Sequence, residues 1–256
     1  MSHSKTVISV ENMVKKYEDL LAVDNISFNV QEGEIFGLLG PNGAGKTTTL
    51  EIIETLRKPT SGKVTVDGLD VSDHSWDVKS KIGVQLQSAG FYPDLTLIEL
   101  LKMFAALYQV EVDDPVKILA KFNLEEKKKS YWQKLSGGQK QRFSLATTLI
   151  HNPKIVFLDE PTTGLDPQAR VHLWDEIRKI HKEGRTIVLT THYMQEAEEL
   201  CNRVAIMDQG KIIKTGSPKD LIDELIASGF RKEQEVKQAD MEDVFLNLTG
   251  RHLREE

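Results

Sequence analysis

One cysteine in 256 residues, Cys201, excludes a disulfide scaffold and a zinc site built on thiolates. An excess of positive charge is missing too: 33 Lys and Arg stand against 39 Asp and Glu, a net charge of −6. The chain therefore has no net basic field to hold nucleic acid. No run approaches the ~20 apolar residues that span a bilayer. The longest candidate, TLIELLKMFAALY from Thr96, contains Glu99 and Lys102 and reads as an amphipathic helix. The opening MSHSKTVISVENMVKKY has no long apolar core and no cleavage site. The expected compartment is the cytosol, with any membrane role supplied by a partner. Internal repeats and low-complexity segments are absent as well.

What is present is ordinary for a globular protein: 39% hydrophobic and 28% charged residues. The length suggests one to two domains, with roughly 70–75% of the unfolded surface buried. Strand patterns fall at TVISV (6–10), NISFNV (25–30), EIFGLL (34–39) and KVTVDG (63–68), the last alternating like an edge or hairpin strand. TTTLEIIETL (47–56) predicts a helix stopped near Pro59. Residues 94–150 turn helical. Strand and helix then alternate through KIVFLD (154–159), ARVHLWDEIRKIHKEG (169–184), RTIVLTTH (185–192) and MQEAEELC (194–201). RVAIMDQGKIIKTG (203–216) predicts a hairpin about Asp208-Gln209-Gly210, and SPKDLIDELIAS (217–228) a helix. RKEQEVKQAD (231–240) reads as a linker and MEDVFLNLTGRHL (241–253) as a docking helix. This alternation predicts an α/β fold with a mostly parallel sheet covered on both faces.

Three motifs carry chemistry. GPNGAGKTT (40–48) fits the phosphate-loop pattern, which composition alone yields in about one chain in a hundred of this size. Gly40, Gly43 and Gly45 let bare backbone N–H groups approach a polyphosphate. The following helix aims its positive end there, Lys46 can reach the β- and γ-phosphates, and the Thr47 hydroxyl can ligate Mg²⁺. KIVFLDEP (154–161) ends an apolar strand in two carboxylates: Asp159 suits a metal, and Glu160 suits accepting a proton from an attacking water. LSGGQ (135–139) puts Ser136, Gly137, Gly138 and Gln139 at a helix start. That is either an ordinary serine cap or a second anion site. One nucleotide does not easily reach both loops if they lie on different subdomains, but a head-to-tail pair of chains resolves this.

In this order GPNGAGKTT, LSGGQ and IVFLDEP resemble Walker A, the signature and Walker B of the ATP-binding subunit of ATP-binding cassette (ABC) transporters, over roughly residues 6–220. The resemblance implies a P-loop NTPase core with a mostly parallel sheet, an antiparallel β subdomain and a helical signature subdomain. It places an ABC ATPase domain at 1–230, helical over about 90–150, with a linker and tail helix at 231–256. It implies ATP and Mg²⁺ as cofactors. The nucleotide would be bound by Tyr17 (stacking on adenine), Gly40, Asn42, Gly43, Ala44, Gly45, Lys46, Thr47, Thr48 and Gln87. Thr47, Gln87 and Asp159 would serve the metal. Gln87 is favoured over Gln85 as the Q-loop glutamine by its distance from Ile82-Gly83. Ser136, Gly137, Gly138 and Gln139 would contact ATP on the opposite chain, and Asp166 of GLDP would communicate across the dimer. Glu160, His192 (the switch histidine) and Lys46 would be catalytic.

The stretch SAGFYPDLTLIELLKMFAALY, the stretch THYMQEAEELCNRVAIMDQGKII and the tail MEDVFLNLTGR resemble exporter ATPases of the drug, polysaccharide and lipid type. Many such relatives carry an extra subdomain between the positions of Ser228 and Met241, which is short here. The implied partners are a second ATPase subunit, identical or different, and an integral membrane permease. The permease would meet a groove near Gln87, Phe91 and Tyr92, and the cargo would not touch this chain. The expected location is the inner face of the cell membrane. Two alternatives stand beside this: a soluble ABC ATPase of an assembly or repair machine, and a regulator that binds without hydrolysing, against which Glu160 speaks. Lone residues read blandly. Cys201 is expected in the core of a short helix, Lys127–Lys129 on a solvated face, and Trp76, Trp132 and Trp174 in packing. The six histidines besides His192 are expected at the surface or in packing.

Overall fold

The computed structural model describes residues 5–85 and 90–231. Gln87, most of the 231–240 linker and the 241–253 segment lie outside the described residues. The chain divides into two units, residues 1–220 and 221 onward.

Strands β1 (Thr6–Tyr17) and β2 (Leu20–Gln31) form a long antiparallel pair. They are followed by β3 (Ile35–Leu39), the phosphate-loop sequence and α1 (Lys46–Ile53). Next come β4 (Ser61–Val66), β5 (Leu69–Asp70), α2 (Ser75–Lys81) and β6 (Ile82–Gln85). The helical stretch contains α3 (Leu97–Leu107), α4 (Pro115–Lys121), two single 3₁₀ turns and α5 (Gly137–Thr148). Then β7 (Ile155–Asp159), α6 (Pro167–Lys182), β8 (Thr186–Thr191) and α7 (Met194–Leu200) restore the α/β alternation. β9 (Arg203–Asp208) and β10 (Lys211–Gly216) make the hairpin, and α8 (Pro218–Ala227) follows.

Two sheets result. The antiparallel one runs β2-β1-β4-β5 and the other β10-β9-β3-β8-β7-β6, parallel except for the β10–β9 hairpin. β4 alternates as the sequence suggests, but it lies between β1 and β5 rather than at an edge. β3 and β7 are buried at every residue, as strands covered on both faces must be. α1 touches strands of both sheets, and its Leu50, Ile52 and Ile53 complete one continuous core with Ile8, Val10, Phe36, Leu38 and Phe157. The predicted fold class is thus the observed one.

The helical part has its own apolar filling: Leu97, Leu100, Leu101, Leu119, Leu135 and Phe143 are buried. Phe91 packs among Phe104, Trp132 and Phe143 at centroid distances of 5.6, 4.3 and 5.3 Å. Thr96 and Glu99 form a reciprocal capping box that fixes the start of α3. Trp132 and Trp174 pack as expected. Trp76 does not: it is 82% exposed, with the Lys79 ammonium 5.4 Å from its ring centroid. Cys201 is buried but sits one residue beyond α7, as its C-cap.

Candidate functional site

The order β3-β8-β7 decides the site. In parallel strands the C-terminal ends lie together, and in open α/β sheets ligands bind beyond those ends. β3 delivers the phosphate loop there, β7 delivers Asp159 and Glu160, and β8, between them, delivers His192. Register places Asp159 opposite Thr190 and Leu39 opposite Thr191.

Backbone bonds tie the loop to its neighbours. Gly210 N donates to Ala44 O (3.1 Å), and Asp24 N to Gly210 O (2.8 Å). Gly45 caps α1 at φ +97°, and a Cβ there would stand 2.5 Å from Ala22 O. Only glycine fits that approach in that conformation.

Lys46 is buried, and its Nζ donates to Gly40 O (2.8 Å) and Pro41 O (3.0 Å). The same ammonium lies 3.6 Å from Glu160 Oε1. His192 Nδ1 lies 3.3 Å from that oxygen. Thr47 Oγ1 donates to Asp159 Oδ1 (3.3 Å), and Thr190 Oγ1 donates to the same oxygen. Glu160 has φ +46°, rare for a side chain of its length. Its N–H donates to Thr190 O (3.2 Å) and Oγ1 (3.0 Å), and Thr163 Oγ1 donates to its Oε2 (3.1 Å). An off-region backbone held by several bonds is the arrangement that fixes a functional carboxylate.

Burial pushes the Asp159 carboxyl above its ordinary value, and the Thr190 and Thr47 hydroxyls oppose this. Glu54, at the end of α1, is more strongly affected: burial first, then the charge of Asp159, pushes it up to about 8. Its Oε1 has no hydrogen-bond partner. The sign follows from linkage. With the folded value above the ordinary 4.5, ionisation costs stability as pH rises from there through 8. Glu54→Gln is therefore expected to stabilise the fold by a few kcal/mol at pH 8 and hardly at pH 5. Thermal melts at the two pH values check this, and an equal gain at both would contradict it.

A cavity of about 620 Å³ opens beside the loop, lined by Asn42, Gly43, Gly45, Lys46, Thr47, Thr48 and Glu160 together with Tyr17, Leu20, Leu21, Ala22, Gln209 and Gly210. Its lining suits both parts of a nucleotide: buried cation and helix start for phosphates, tyrosine and apolar side chains for a base. Thr47 and Asp159 supply an all-oxygen donor pair of the kind Mg²⁺ prefers. Ser136, Gly137, Gly138 and Gln139 do not line this cavity. Ser136 caps α5, with Gln139 N donating to Ser136 Oγ (3.3 Å) and Ser136 N to Gln139 Oε1 (3.0 Å). That box leaves the Ser136 hydroxyl proton and the Gln139 amide hydrogens as donors. Asp166 caps α6, its Oδ1 accepting from Ala169 N at 2.8 Å. Thr190, Thr163 and Gln209 are site residues that the sequence reading missed. Threonines in and near β-rich runs look like strand formers or turn residues, and only register reveals them.

Comparison with known proteins agrees with this geometry. The pattern described as "ABC transporter" matches residues 23–163. The chain belongs to the ABC transporter family. Its ATP-binding proteins are ATPases, and this cassette is one of them. It is 42% identical to the Nod factor export ATP-binding protein I of Burkholderia thailandensis over 84% of this chain and 72% of that one. The protein of the same name from Burkholderia lata is 36% identical over 97% and 98%. Among solved structures, an ATP-binding subunit of an ABC transporter superposes with a TM-score of 0.76 at 26% identity, covering 95% of this cassette and all of that chain. A dimeric ATP-binding cassette in a post-hydrolysis state, bound to ADP and Pi, gives 0.75 at 28% identity over 82% and 98%. No described helix of the cassette is long and apolar enough to cross a membrane.

Proposed function

We propose that this chain is the ATP-hydrolysing motor of an ABC exporter, working as a head-to-tail pair that drives a separate membrane subunit from the inner face of the membrane. The observation that carries the reading is the convergence of Lys46, Thr47, Asp159, Glu160 and His192 at the ends of β3, β7 and β8. The nucleotide's phosphates would lie on the Gly40–Thr48 backbone and Lys46, its adenine on Tyr17. Thr47, Asp159 and Gln87 would hold Mg²⁺, which neutralises charge on the β- and γ-phosphates. Glu160 would accept the proton of the attacking water, with His192 supporting the same step.

Catalysis of this kind is mostly positioning and electrostatic stabilisation of the spreading charge. Ser136, Gly138 and Gln139 of one chain would close on the ATP of the other, since they stand away from their own cavity. ATP then favours the closed pair because it touches both sides, and loss of the γ-phosphate reopens it. Asp166, exposed at the start of α6, would meet the partner chain. Export follows from likeness to the Nod factor export proteins. The exposed Tyr92 beside the Phe91 cluster would form part of the seat for the membrane subunit.

The test is co-purification of the tagged chain from its native cells in detergent. A polytopic membrane protein in near-equal amount is the expected partner. A soluble partner with nothing from the membrane would overturn the exporter reading in favour of an assembly-machine ATPase. Homo- or heteropairing is read from the same preparation by whether a second cassette appears.

A further inference from the structure

Helices α6 and α7 meet along three rungs. α6 offers Arg170, Trp174 and Arg178, four residues apart and so on one stripe. Facing them are Tyr193, Glu196 and Glu199, three apart, from the start of α7 onward. The Arg170 guanidinium carbon lies 4.6 Å from the Tyr193 ring centroid. Trp174 Nε1 donates to Glu196 Oε1 (2.9 Å), with both side chains buried. Arg178 Nη2 donates to Glu199 Oε2 at 2.7 Å.

The first rung differs from the others because it runs into the site. The Tyr193 ring packs on the His192 ring, with centroids 4.2 Å apart and planes inclined by 38°. His192 Nδ1 lies 3.3 Å from Glu160 Oε1, close but without hydrogen-bond geometry. In the other direction, Arg170 N donates to Asp166 O (3.0 Å), so Arg170 stands one turn from the exposed aspartate that begins α6. An imidazole on a half-buried loop position has rotamers to choose from, and the tilted ring packed against it limits the choice. That ring is itself held from beyond by a cation.

We propose that Arg170 is a positioning residue for hydrolysis: by holding Tyr193 it keeps His192 beside Glu160. The inference rests on the reading of Glu160 and His192 given above. It predicts that Arg170→Ala lowers kcat for ATP about ten-fold at saturating nucleotide, with KM within about two-fold, the mark of a misplaced group rather than a lost binding contact. Arg170→Lys, which keeps a cation over the ring, restores most of the rate.

Arg178→Ala removes the outermost rung, remote from His192, and leaves kcat unchanged. Steady-state turnover of the three variants, each with a thermal melt, decides the matter. An Arg170→Ala rate within two-fold of the parent would overturn the proposal. So would an Arg178→Ala loss as large as that of Arg170→Ala, because both rungs would then act only through stability. Should Arg170→Ala fail to fold, Tyr193→Leu interrogates the same contact from the other helix, and full kcat in that variant overturns the proposal equally. Full turnover by Glu160→Gln would instead sink the reading of the site itself, a different outcome from an active parent indifferent to Arg170.

Discussion

Glu160→Gln is expected to bind ATP as the parent does and to lose about 10²–10⁴ of its turnover, the range for removal of a general base. The amide has the shape of the carboxylate, and the bonds from Glu160 N to Thr190 O and Oγ1 use the backbone donor and survive the change. What disappears is the proton acceptor and the negative partner of Lys46 at 3.6 Å. With hydrolysis slowed, the closed pair accumulates, since ATP touching both chains favours it and nothing removes the γ-phosphate. Size-exclusion chromatography in ATP should therefore move the variant from the monomer to the dimer position. A variant that remains monomeric at saturating ATP would argue against a site shared between chains, and undiminished phosphate release would remove Glu160 from the chemistry.

Lys46→Ala should lose ATP affinity by about a hundred-fold, since charge-assisted bonds to phosphate contribute ~1.5–3 kcal/mol each. The buried ammonium is already desolvated and held within hydrogen-bond reach of Gly40 O and Pro41 O, so it approaches phosphate with little reorganisation. The substitution also leaves Glu160 buried without the 3.6 Å ion pair, and a modest fall in melting temperature is expected alongside. Isothermal calorimetry separates the two effects. Affinity unchanged from the parent would mean that Lys46 serves the fold alone.

How much of this could be read in the sequence varies by element. β3, β7 and β8 announce themselves because doubly covered strands are continuous apolar runs, and the phosphate loop because its glycines answer one geometric demand. The segment Leu69–Gln85 gave no such signal. α2 buries only Val78, so it has no apolar stripe, and β6 is four residues long and ends in a glutamine. The carboxylate pair was legible as a pair, but not its supports. Thr190 reaches Asp159 only through the β7–β8 register, a fact about two segments some thirty residues apart. Trp76 was expected in packing because tryptophan usually is; its helix is too short to cover it. Signature residues 136–139 read as a cap or as an anion site, and the capping box of α5 is compatible with both, because it uses acceptors and leaves donors.

The connection from β6 to β7 is a parallel crossover that has swollen into a subdomain. It leaves the sheet at Gln85, and Gln85 pairs in register with Leu158, the residue before Asp159. Gln85 is buried there, and its Nε2 donates to Gln141 of α5 at 2.6 Å. The helical excursion is thus rooted in the sheet one residue from the carboxylates. On the proposed function, a pull on its far end by a membrane subunit or a neighbouring cassette would be felt beside the place where the γ-phosphate would be lost. Load and bond breaking would then be separated by a single peptide unit across a strand pair.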